Sequence, residues 1–171
     1  LRVNSHVKYE RFDKIEDEKN NANKYFSNSI EYFHNALKYN PEYGSAYFNL
    51  GYAYELQGKY DSSVIYYGKA IEVDGGELVS MSRLANSYFR TGQEEDAVLL
   101  NEKIIVKFPH SDKPFINLGN YAMKNEDTLR AIKFYKNAVK LGTRPEVGRL
   151  LSNYYESTGD LKSAEYYMRK S

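Results

Sequence analysis

The chain has 171 residues, 42% of them hydrophobic and 27% charged, the profile of a folded domain that buries roughly two thirds of its unfolded surface. A formal net charge of +1 draws it neither to nucleic acid nor to anionic lipid, and no apolar run of about 18 residues is present to insert in a membrane. Cysteine is absent, which excludes disulfides, thiol nucleophiles and zinc-finger sites. The compartment stays open between cytoplasm and periplasm. No signal peptide is visible, and a first residue of Leu1 rather than Met predicts a piece of a longer chain.

In chain order, residues 10–43 begin with "ERFDKIEDEKNNANK", predicted as a degenerate, more polar first helix, followed by a better-patterned stretch carrying Phe26, Ser29, Phe33, Ala36 and Pro41. Residues 44–77 read "AYFNLGYAYELQG", then "YDSSVIYYGKAIEVD", both with large and small residues at helical spacing. Gly58 stands between them, where a helix ends in a left-handed residue, and Gly75 closes the segment. Residues 78–111 repeat the pattern with Met81, Leu84, Ala85, Tyr88, Gly92, Ala97, Ile104 and Pro109. Residues 112–144 carry Phe115, Leu118, Gly119, Ala122, Ala131, Tyr135 and Ala138, but Glu126 stands where the turn glycine is expected. Residues 145–171 start again with Leu151, Tyr155, Gly159, Ala164 and Met168 and stop inside the predicted second helix.

One period joins these segments. Leu50, Leu84 and Leu118 are spaced by 34 residues, as are Gly58 and Gly92, Ser63, Ala97 and Ala131, and Ala36, Ala70, Ile104 and Ala138. Each period holds two helices and a turn, so the expected fold is all-α, an array of antiparallel helix hairpins. Small residues let two helices approach and aromatic rings fill the neighbouring holes. The pattern resembles the tetratricopeptide repeat family, best through Tyr47, Leu50, Gly51, Tyr54, Gly58, Tyr60, Ser63, Tyr67, Ala70 and Asp74. The resemblance covers nearly all of 1–171 as a single array. It implies a right-handed superhelix, first helices lining a concave face, and a peptide or partner helix as ligand. Thr143 departs from the family's usual proline.

The residues that the resemblance turns toward that face lie on the side of each first helix away from its partner. They are Asn49 and Tyr52 in the first good repeat, then Arg83, Asn86, Arg90, Lys113, Asn117, Asn120, Lys124, Arg149 and Asn153. Asn86, Asn120 and Asn153 recur in one row, and an amide that both donates and accepts suits a peptide backbone. The cations, offset in part by Glu55, Glu146 and Glu156, favour an acidic ligand. Tyr52 is the best candidate for a ring touching ligand. The family's carboxylate clamp on chaperone termini is not expected: Phe48 and Tyr52 fail it in one register, Glu146 and Leu150 in the next.

No chemistry is predicted. His6, His34 and His110 lack a metal-ligating or catalytic spacing, and Gly75-Gly76 joins two helices rather than cradling phosphate. In each of the pairs Tyr66-Tyr67 and Tyr166-Tyr167 only one ring can point inward. The expected function is therefore a protein–protein interaction module, a scaffold or adaptor with no cofactor and no nucleic-acid ligand. The alternative is a regulatory or substrate-recruiting domain of a larger enzyme or membrane-anchored protein. A homodimer is the further expectation, formed through an open C-terminal end exposing Leu150, Leu151 and Met168.

Overall fold

In the computed structural model, residues 3–142 and 144–171 are described, the side chains of 3–17, 19 and 22 excepted. Thr143 and the side chain of His6 thus lie outside the described residues. Among those described there are nine helices and no strand: α1 (Val3–Tyr39), α2 (Gly44–Leu56), α3 (Tyr60–Asp74), α4 (Leu78–Thr91), α5 (Glu94–Lys107), α6 (Lys113–Lys124), α7 (Thr128–Leu141), α8 (Pro145–Ser157) and α9 (Leu161–Met168). They fall into two compact units rather than one body, the first ending at Gly76 and the second starting at Glu77. The boundary lies at Gly75 and Gly76, both in the left-handed region at φ 72° and 78°.

The N-terminal segment departs from expectation. Residues 10–43 were expected to hold two helices, yet α1 runs unbroken for 37 residues. The reason is local. The chain has no glycine or proline before Pro41, and Lys24, a good helix former, stands 34 residues before the turn residue Gly58. With nothing to end the helix, it continues to Tyr39.

In the first unit α1 packs on α2 and α2 on α3. Tyr67 of α3 is fully buried against Gly51 of α2, whose Cβ, were there one, would sit 2.7 Å from the ring. Its neighbour Tyr66 is only half-buried, with its hydroxyl 3.4 Å from His34 Nε2. In the second unit the hairpins α4–α5, α6–α7 and α8–α9 pack in succession. Tyr135 of α7 repeats the arrangement on Gly119 of α6, where a Cβ would meet the ring at 2.5 Å. The core of this unit gathers Ile132, Tyr135, Val147, Leu151 and Tyr167. Leu151 is therefore wholly buried and Leu150 packs on the same cluster, so neither is the open apolar end that was expected; Met168 is exposed. Tyr167 is inward and Tyr166 outward.

The turns inside the hairpins share one geometry. Gly58, Gly92 and Gly159 adopt φ of 72°, 78° and 82°, and Glu126 does the same at 60°. After each, a backbone N–H reaches five residues back, Lys59 to Tyr54, Gln93 to Tyr88, Asp127 to Ala122 and Asp160 to Tyr155, each at 2.9 Å. Asp127 and Asp160 then cap the following helices, accepting from the Arg130 and Ser163 N–H groups at 3.1 Å.

Candidate functional site

The site belongs to the second unit. On α4, positions 79, 82, 83, 86, 89 and 90 share one face, and on α6 so do 113, 116, 117, 120, 121 and 124, as helical spacing requires. These faces line two adjoining depressions. The first, about 320 Å³, is bordered by Val79, Ser82, Arg83 and Asn86 of α4, Lys113, Ile116 and Asn117 of α6, and Arg144 and Glu146 at the start of α8. The second, about 290 Å³, is bordered by Asn86, Phe89 and Arg90 with Asn117, Asn120, Tyr121 and Lys124. Asn86 and Asn117 belong to both.

Neighbouring helices hold these groups in place. Arg144 grips Asp112 with two hydrogen bonds, Nε to Oδ2 at 2.5 Å and a guanidinium nitrogen to Oδ1 at 3.3 Å. This contact holds the Asp112 carboxyl below its usual range against the opposing effect of burial. Lys124 Nζ donates to Glu94 Oε1 at 2.9 Å, and the Tyr121 hydroxyl donates to the other oxygen at 3.2 Å, which lowers the Glu94 pKa. The Phe89 and Tyr121 rings stack at 5.1 Å. Asn117 Nδ2 donates to Oδ1 of the buried Asn101 at 3.1 Å, and Asn120 Oδ1 accepts from the Tyr135 hydroxyl at 2.8 Å. Burial raises the Tyr135 pKa, so the hydroxyl keeps its proton.

Seven of the residues expected from sequence come together here: Arg83, Asn86, Arg90, Lys113, Asn117, Asn120 and Lys124. Arg149 and Asn153 are exposed on α8 and border neither depression. Asn49 and Tyr52 stand on α2 in the other unit, where the Asn49 amide donates to its own helix at Ser45 O, 2.8 Å away. Helical spacing missed Arg144, which precedes its helix, and Glu94, which reaches Lys124 from α5 across 30 residues of sequence. It also missed Asn101, because a polar residue on a packing row of α5 carries no outward signal. His110 is exposed in the turn between α5 and α6. Among the described residues no three His, Asp or Glu side chains gather as a metal site, and no helix is long and apolar enough to cross a membrane.

The best-patterned segment also decides the family. Residues 44–76, the α2–α3 hairpin, match the family described as tetratricopeptide repeat. The chain carries a tetratricopeptide repeat. Solved structures share the hairpin fold over most of the length. A MamA crystal structure is 18% identical with a TM-score of 0.71, covering 85% of each chain. A MamA structure from Desulfovibrio magneticus RS-1 is 16% identical with a TM-score of 0.67, covering 87% of this chain and 92% of its own. PilF of Pseudomonas aeruginosa is 15% identical with a TM-score of 0.70, covering 90% and 76%. At these identities the likeness is one of tetratricopeptide-repeat fold. No curated protein matches the sequence.

Proposed function

We propose that the second unit is a protein-interaction module whose α4 and α6 faces seat an extended acidic segment of a partner protein. The observation that carries this reading is the continuity of the two depressions through Asn86 and Asn117. A run of shallow polar subsites suits an extended chain better than a compact small molecule. Charge points the same way. Arg83, Arg90, Lys113, Lys124 and Arg144 border the face, against the carboxylates of Asp112, Glu94 and Glu146. Complementary charge of this kind sets partner choice and association rate more than raw affinity. Proteins of this repeat family are interaction modules, and the reading assigns the segment no reaction.

The test is fluorescence anisotropy with labelled oligoglutamate and oligolysine peptides, on the wild type and on the double variant Arg83→Glu, Lys113→Glu. Lys113 sits at the start of α6, where a glutamate is favoured by the helix dipole, so the variant is expected to keep its helical circular dichroism. Oligoglutamate is expected to bind the wild type and to lose at least tenfold in affinity with the variant, in line with like-charge juxtaposition costing several kcal/mol. Equal binding of both peptides, or unchanged affinity in the variant, would sink the proposal.

A further inference from the structure

In two repeats a tyrosine of the second helix enters its hairpin, Tyr67 onto Gly51 and Tyr135 onto Gly119. In the repeat between them the same row holds Ala85 and Asn101, both fully buried. An Ala85 methyl stands where a Cβ on Gly51 or Gly119 would lie 2.7 or 2.5 Å from a ring, so the methyl excludes a tyrosine at 101. It does not exclude leucine or methionine. A buried amide in their place costs free energy unless it is hydrogen-bonded.

Asn101 is paired in a way that carries information to the surface. Its Nδ2 donates to the Ala97 carbonyl at 2.8 Å and its Oδ1 accepts from Asn117 Nδ2 at 3.1 Å. A backbone carbonyl only accepts, so the Asn101 NH2 must face Ala97 and its oxygen must face α6. Asn117 must then turn its own NH2 inward, and Oδ1 is the acceptor it offers to the groove. Asn120, one turn along the same face, is fixed in the opposite sense. The Tyr135 hydroxyl donates to Asn120 Oδ1 at 2.8 Å, so the group Asn120 offers is its NH2.

We propose that Asn101 and Tyr135 are positioning residues that give α6 an outward acceptor at Asn117 and an outward donor at Asn120, and that this pair reads the main-chain N–H and C=O of an extended peptide. The inference rests on the groove reading above and deepens it. The cations select acidic side chains, and the two amides grip the backbone whatever side chains it carries. Each amide enters pre-oriented, so little side-chain freedom is lost on binding.

Two variants and two readouts test the pair. Asn101→Leu removes the partner of Asn117 and Tyr135→Phe removes only the hydroxyl on Asn120, so the second keeps its packing if the first does not fold. In the free protein, the side-chain amide proton resonances of Asn117 are expected to move in Asn101→Leu, and those of Asn120 in Tyr135→Phe. By calorimetry, the wild type is expected to bind acetylated, amidated oligoglutamate about three- to tenfold more tightly than the same peptide N-methylated along its main chain. Either variant should shrink that preference while still binding both peptides, a change that mere destabilisation would not produce. An undiminished preference in both variants, or unmoved amide resonances, would overturn the inference. If the wild type binds neither peptide, the groove reading falls, and the amide resonances of the free protein still decide the positioning roles.

Discussion

Glu126 holds the left-handed position that glycine holds in the three equivalent turns, at φ 60°. That conformation costs a residue with a Cβ about 1–2 kcal/mol, of which glycine's greater freedom in the unfolded chain offsets part. Glu126→Gly is expected to stabilise the protein by about 1 kcal/mol, read as a higher urea midpoint at constant slope. A lower midpoint would mean that the turn is not strained. The next residue works in the other direction: Asp127→Ala removes the cap on α7 and is expected to cost about 1 kcal/mol. Asp112 adds a pH dependence. Its pKa is depressed in the fold, chiefly by the hydrogen bond from Arg144. Its stabilisation is therefore complete above the ordinary aspartate value of about 3.9 and is lost as pH falls through the folded-state value. Asp112→Asn should lower the melting temperature at neutral pH and approach the wild type in acid; a gap that stays constant across that range would contradict the assignment.

Two glycines at the level of the helix pair separate packing from propensity. A methyl on Gly119 would strike the Tyr135 ring at 2.5 Å, whereas a methyl on Gly68 of α3 would meet nothing within 4 Å. Gly119→Ala is expected to cost about 1–3 kcal/mol by overpacking, and Gly68→Ala to gain about 0.8–1 kcal/mol of helix propensity. Equal effects in thermal melts would break the knob-and-hole account. The same alternation made the hairpins legible in sequence, because close helix crossings demand small residues at fixed spacing and the turns demand glycine. Glu126 did not erase its turn, since Asp127 and the five-residue backbone bond to Ala122 still form it. The N-terminal hairpin was misread for the complementary reason. Periodicity continued through Phe26 and Phe33, but the break that should precede them is Lys24, and a period without a breaker gives one long helix.

The whole molecule comprises two compact units, and the candidate site is confined to the second. Sequence spacing found seven of its residues because outward positions on α4 and α6 follow directly from helical geometry. It could not find what tunes them. Glu94 and Lys124 pair across 30 residues, Arg144 arrives from outside any helix, and Asn101 lies on a row that elsewhere means packing. The most direct measurement is a backbone-amide NMR titration of the chain with oligoglutamate. Shifts clustering on α4 between Arg83 and Arg90 and on α6 between Lys113 and Lys124, with α5 and α7 largely unmoved, are the expected result. Shifts centred on α5 and α7, or none at saturating peptide, would contradict the assignment of this face as the binding surface.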